Sequence, residues 1–216
     1  MSRFLPERNA PALITIRIIA SAAVLLVAVS LSAGSAGRAG DYASHQALAE
    51  ASVPPFTAEI DADLMLSRSQ RDLIQNEVQK LGRTFDSPDE LLAESARVKK
   101  NILLLLNAKQ RIRLDQLKIR YDGPLTSLLR TSLQRRLRIG NAQREKIRRL
   151  FLGYRKDLAR IEKNREPGYL SGAERPVHLR ELKNSYNKRA LALLTDRQAE
   201  LYRSLQGPPI QSLPEH

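Results

Sequence analysis

Apolar residues recur at helical spacing along most of this chain. Between residues 147 and 161 they lie three, four or seven positions apart and form one stripe, while lysines and arginines lie largely off it. No segment shows the alternation of Val, Ile and Thr that is typical of strands. We therefore predict an all-α fold, an irregular bundle of about five to seven helices with antiparallel hairpins, preceded by an apolar N-terminal segment. The stripe consists of Ile147, Leu150, Phe151, Tyr154, Leu158 and Ile161.

Capping and breaking residues predict the helix borders. Ser67 is a candidate cap, and Gly82 ends the helix that it opens. At Ser87-Pro88-Asp89-Glu90, serine caps the helix, proline suits its first turn and the acids favour its N-terminus. Gly123-Pro124 predicts a helix end. The expected helices from here on cover about residues 67–82, 87–106, 107–122, 125–137, 142–164, 177–194 and 195–206.

Four of the helix starts share one motif. An aliphatic residue precedes a capping residue, and Gln follows three positions after the cap: Leu66-Ser67-x-x-Gln70, Leu106-Asn107-x-x-Gln110, Ile139-Gly140-x-x-Gln143 and Leu194-Thr195-x-x-Gln198. In such a capping box the cap accepts from a first-turn N–H, and Gln accepts from the cap's own N–H. Gly140 has no side chain to cap with. We expect each leading aliphatic residue to pack beside Ile74, Leu114, Ile147 or Tyr202, four positions beyond each Gln.

The N-terminus is typical of a secretory leader. Arginines 3, 8 and 17 precede an uncharged run over residues 18–34, and small residues follow. Cleavage after Ala36 predicts an exported, periplasmic protein. An uncleaved segment would instead be a single-pass anchor with its N-terminus in the cytoplasm, since the run is close to the lower limit for a membrane span. The expected organisation is a signal peptide or anchor (1–36), a polar linker with a short helix (37–65), a basic helical domain (66–209) and a tail (210–216).

Positive charge is concentrated in one region. The whole chain carries +13, and residues 111–165 hold seventeen Lys or Arg against five Asp or Glu. This region is either a solvated face or a surface that captures anions. Behind a leader, lipid head groups, acidic glycans and unfolded chains with acidic segments are the expected partners, and nucleic acid is disfavoured. The candidate contact residues are Arg135, Arg136, Arg138, Arg144, Lys146, Arg148 and Arg149.

The sequence offers no catalytic or cofactor motif. It has no cysteine, and its three histidines are far apart, so no metal site is expected. It also has no Gly-rich phosphate loop, nucleophile elbow or His-Glu-x-x-His. We therefore predict a protein that is not an enzyme and uses no cofactor.

The four boxes resemble the LTxxQ motif of the Spy/CpxP-like periplasmic helical protein family, most nearly at Leu194-Thr195-Asp196-Arg197-Gln198. The arrangement is also similar to multi-box secreted proteins of planctomycete-type bacteria. The resemblance implies helical hairpins that dimerise into a basic surface for unfolded clients. The expectation is a non-catalytic envelope protein that binds clients or anionic surfaces through its basic face. The alternative is a membrane-anchored structural or interaction protein without chaperone activity, and plain recurrent capping in a helical bundle would also explain the boxes.

Overall fold

The computed structural model describes residues 39–163 and 174–210 of the 216-residue chain. The signal peptide or anchor predicted for residues 1–36 lies outside the described residues, as do residues 211–216. The described part is helical and contains no strand, which confirms the all-α prediction. None of its helices is both long and apolar enough to cross a membrane. The α-helices are α1 (Ala39–Ala51), α2 (Ala58–Asp63), α3 (Arg68–Gln79), α4 (Pro88–Leu105), α5 (Ala108–Ser127), α6 (Thr131–Arg136), α7 (Asn141–Lys163), α8 (Glu174–Leu191) and α9 (Asp196–Leu205).

The described residues therefore form nine α-helices, more than the five to seven expected. One extra helix is α2, which Thr57 caps by accepting from the N–H of Ile60. The other is α1, which corresponds to the short helix expected in the linker. The helix predicted over 125–137 adds none, but it is interrupted between Ser127 and Thr131. Its first residues instead continue α5 beyond Gly123, where a single residue leaves the helical conformation.

Gly123 makes this kink possible. Its φ of 75° lies in the left-handed region that glycine tolerates, and Pro124 follows without a backbone N–H to donate. The amide of Asn187 on α8 lies against the kink, and its Oδ1 accepts from the N–H of Leu125 at 3.0 Å. A Cβ at position 123 would stand only 3.0 Å from Asn187. The kink therefore positions α8 against α5.

The segment predicted as a polar linker with one short helix, residues 37–65, contains two helices in its described part. Four of its apolar side chains are buried: Ala49, Val53, Ile60 and Leu64 are each 6% exposed or less. The sequence prediction missed this because α1 is short and carries few large apolar residues. Burial of these side chains makes residues 39–65 part of the folded unit rather than a spacer.

Two hydrophobic clusters form the core. One is built around Ile74, Ile102 and Leu117, and the other around Leu133, Ile147 and Tyr202. We call α2 to α4 with the first part of α5 the first half of the molecule, and α6 to α9 the second half. Helix α1 and the segment after it lie across both, because Ala49 joins the cluster of the second half and Val53 that of the first.

Candidate functional site

Three of the four predicted capping boxes form completely. Ser67, Asn107 and Thr195 each accept from the backbone N–H of the Gln three positions on, and the Gln side chain accepts from the cap's N–H. These caps are therefore confirmed. At Gly140 only the return bond forms, from the N–H of Gly140 to Oε1 of Gln143 at 3.3 Å. The cap of α4 also forms, since Ser87 accepts from the N–H of Glu90.

The glutamines of the boxes pair with each other. Nε2 of Gln70 donates to Oε1 of Gln110 at 3.1 Å, and Nε2 of Gln110 donates back to Oε1 of Gln70 at 3.3 Å. Gln70 also donates to the carbonyl of Leu105, and Gln110 to that of Leu64. Each glutamine side chain therefore links the start of its own helix to the residues just before the partner box. Two segments that are distant in the chain are held together in this way.

The second half repeats this arrangement. Gln143 and Gln198 exchange hydrogen bonds of 2.8 and 3.2 Å, and they donate to the carbonyls of Leu193 and Leu137. Leu193, like Leu105, directly precedes the first residue of a box. Leu137, like Leu64, stands two residues before one. The glutamines of the four boxes therefore form two pairs with the same pattern of hydrogen bonds.

Backbone geometry repeats with the hydrogen bonds. Met65 and Arg138 are the non-glycine residues of the described chain with positive φ, at 51° and 54°. Each directly precedes the leading aliphatic residue of a box, so the two turns are equivalent. The residues four positions beyond the glutamines, Ile74, Leu114, Ile147 and Tyr202, are each 5% exposed or less. The leading aliphatic residues of the boxes lie in or against the same two clusters, as predicted.

Part of the predicted basic face surrounds a groove at the junction of α6 and α7. Arg135, Arg144 and Arg148 line it, and Glu145 is the single acid among its lining residues. The groove has a volume of about 630 Å³, and every lining side chain is polar or charged. Its remaining lining residues are Gln46, Thr131, Gln134 and Asn141. Three arginines against one carboxylate give it a positive potential.

Hydrogen bonds hold the walls of this groove. Nε2 of Gln46, on α1, donates to the carbonyl of Leu129 and to the hydroxyl of Thr131, so α1 forms one wall. Gln134 is buried and donates to the carbonyl of Leu128 at 2.7 Å. Sequence analysis missed both glutamines, because neither belongs to a motif and α1 was predicted to lie in a linker.

The other predicted contact residues are not brought into the groove. Arg136 donates to the carboxylate of Asp115 at 2.7 Å, and Arg149 pairs with Glu145 at 3.1 Å. Arg138 is exposed in the turn before α7. Lys146 stands two residues from both Arg144 and Arg148, a spacing that does not share a helix face. The predicted basic face is therefore split, with three of its seven members around one groove.

A network of buried charges lies beside α1. Lys118 and Asp122 pair at 2.9 Å with side chains 5% and 1% exposed, and Lys118 also donates to the hydroxyl of Ser52. Burial lowers the pKa of Lys118, although Asp122 opposes that shift. Lys99 donates to the backbone carbonyl of Glu50, and burial also lowers its pKa. These contacts fix the end of α1 to α4 and α5.

Arg130 sits in the same network with its side chain 6% exposed. It contacts Asp115, which also pairs with Arg136. Burial alone would raise the pKa of Asp115, but the two arginines outweigh it and lower that pKa below its usual value. The Lys118–Asp122 pair and the contacts of Asp115 with Arg130 and Arg136 therefore hold segments of the fold together.

Comparison with models of known families, with curated proteins and with solved structures finds no match for this chain. Within residues 39–163 and 174–210, no three His, Cys, Asp or Glu side chains group closely enough to hold a metal ion.

Proposed function

We propose that this chain is a non-catalytic envelope protein that binds an anionic surface through the groove between α6 and α7. The observation that carries the proposal is the convergence of Arg135, Arg144 and Arg148 around a polar cleft with one carboxylate. Arginine presents a planar set of donors that suits phosphate and carboxylate groups. Such groups occur on lipid head groups and acidic glycans.

The polar lining favours an anionic surface over an unfolded client at this site. Client segments are recognised largely through apolar contact, and this groove offers no apolar side chain. Arg135 and Arg144 form no salt bridge with any residue in the described ranges, so their charge is available to a ligand. Each basic residue near an anionic membrane contributes about 1 kcal/mol.

Co-sedimentation with lipid vesicles tests this proposal. The wild-type protein should sediment with phosphatidylserine-containing vesicles, less so at high salt, and should not sediment with neutral ones. Arg144→Glu with Arg148→Glu should weaken binding by about 30-fold or more, since two favourable contributions of about 1 kcal/mol each are lost. Equal sedimentation with acidic and neutral vesicles would contradict the proposal.

A matched control separates the groove from net charge alone. Arg68→Glu with Arg71→Glu makes the same charge change on exposed positions at the start of α3. This variant should retain most of the binding. A parallel assay measures whether the protein suppresses aggregation of an unrelated unfolding protein. Suppression without vesicle binding would replace the proposed function with client binding.

A further inference from the structure

A second groove lies beside the first half, between α1 and α4, and its walls are apolar. It has a volume of about 590 Å³, within the range of small-molecule sites. Small side chains on both helices create the space, and Leu104 at its edge is 68% exposed. The apolar lining residues are Ala47, Ala51, Leu92, Ala96, Leu103 and Leu104.

The charged residues at this groove that are free to contact a ligand are both basic. Lys99 and Glu50 also line it, but Lys99 donates to the Glu50 carbonyl and the Glu50 carboxylate accepts from Ser132. Lys100 and Arg111 are exposed, and neither forms a salt bridge with any carboxylate among the described residues. An apolar groove with two cationic side chains at its rim, neither of them in a salt bridge, is complementary to an anion that carries a hydrocarbon chain.

We propose that this groove binds a long-chain carboxylate, with its hydrocarbon along the alanine and leucine walls and its carboxylate at Lys100 and Arg111. From Leu92 to Leu104, α4 rises about 18 Å, which gives the chain an extended track. An extended peptide would bring backbone N–H and C=O groups against walls that offer them few partners, at a cost in desolvation. A hydrocarbon has no such groups. The inference is independent of the anionic-surface function, because the two grooves use different arginines and lysines.

Calorimetric titration of the full chain with laurate, kept below its micelle concentration, tests the inference. One-site binding is expected. Decanoate, two methylenes shorter, should bind about 15-fold more weakly, since each buried methylene contributes about fourfold. Lys100→Glu should weaken laurate binding by about tenfold or more, because an attractive charge becomes a repulsive one. Dodecylammonium, with the same chain and opposite charge, should not bind.

Two tryptophan variants give a matched control for the groove. Ala96→Trp fills the space between α1 and α4 and should abolish laurate binding. Leu73→Trp places the same side chain on an exposed position of α3 and should leave binding unchanged. Circular dichroism establishes that each variant is folded. The inference is overturned by absence of laurate binding, by equal binding of dodecylammonium, by wild-type affinity in folded Ala96→Trp, or by binding of an acidic amphipathic helix where laurate fails.

Discussion

The two halves of the molecule use the same hydrogen-bonded frame and present different surfaces. In each, two glutamines bond to each other and to the loop before the partner box. Yet the groove beside the first half is apolar with a basic rim, and the groove beside the second is lined by arginines and amides. The comparison teaches that the paired glutamines set helix positions without constraining the side chains that face outward.

The frames themselves differ in two places. The first pair has a capping side chain at both helix starts, whereas the second has Gly140 at one of them. The position four residues beyond each Gln is aliphatic except at Tyr202, whose hydroxyl lies 2.9 Å from that of Ser127. The frame of the second half therefore lacks one cap and has a titratable side chain four residues beyond one Gln, where the frame of the first half has an aliphatic one.

The largest expected effect concerns the buried Lys118–Asp122 ion pair beside α1. Lys118→Met leaves the carboxylate of Asp122 buried without its partner, and should lower the free energy of unfolding by about 3–5 kcal/mol. Lys118→Met with Asp122→Leu should recover most of this loss, because neither member of the pair is left buried without its partner. Urea denaturation of both variants measures the difference. A double variant as unstable as the single one would show that the pair is not the cause.

Alkaline pH should affect the second half through Tyr202. Burial raises the pKa of Tyr202 to about 12, against about 10 in an unfolded chain. Tyr202 therefore stays protonated to a higher pH in the folded state than in the unfolded chain. The stabilisation from its protonated form is present below about pH 10 and is lost as the pH rises to about 12. The loss amounts to up to about 3 kcal/mol. Above pH 10 the free energy of unfolding should fall less steeply with pH in Tyr202→Phe than in the wild type. Identical slopes would refute the assignment to Tyr202.

The two Gln pairs should differ in their contribution to stability. Gln110 is 8% exposed, whereas Gln198 is half-buried. Unpaired polar groups cost more in the interior, so Gln110→Ala should lower the free energy of unfolding by about 2 kcal/mol and Gln198→Ala by about 1 kcal/mol. Thermal unfolding of both variants provides the measurement. The reverse order would mean that burial does not govern the difference.

The smallest expected effect repairs the missing cap. Gly140 has open space around the position of a Cβ and no positive φ, so a side chain fits there. Gly140→Ser should stabilise the protein by about 0.5 kcal/mol, because it supplies the acceptor that the third box lacks and reduces the freedom of the unfolded chain. Differential scanning calorimetry should detect the higher melting temperature. Gly140→Ala, which adds no acceptor, is the control and should gain less.

Much of the fold follows from local signals in the sequence. The caps at Ser67, Ser87, Asn107 and Thr195 form as expected because a cap depends on residues within one helical turn. The apolar stripe of α7 also follows from spacing, since Ile147, Leu150 and Phe151 are buried and the rest of the stripe is half-buried. The pairing of the boxes could not be predicted in the same way, because each glutamine has its partner 40 or 55 residues distant.

The candidate site was only partly predictable for a related reason. Sequence analysis identified the arginines of α6 and α7 as a charge cluster, but it grouped Lys146 with residues that face elsewhere. The turn between the two helices, not the linear order, brings Arg135 beside Arg144. The contribution of α1 had no local signal, since Gln46 acts only through a carbonyl and a hydroxyl more than 80 residues away.

The contrast between the two grooves is tested most directly by amide chemical shifts in one isotopically labelled sample. Titration with tripolyphosphate, an anion without a hydrocarbon, should move the resonances of residues around Arg135, Arg144 and Arg148. Titration with laurate should move those around Ala96 and Leu104. Two separate sets of shifted resonances are the predicted result. If both ligands shift the same residues, or if tripolyphosphate leaves the α6–α7 groove unchanged, the account of two distinct surfaces on a shared frame is wrong.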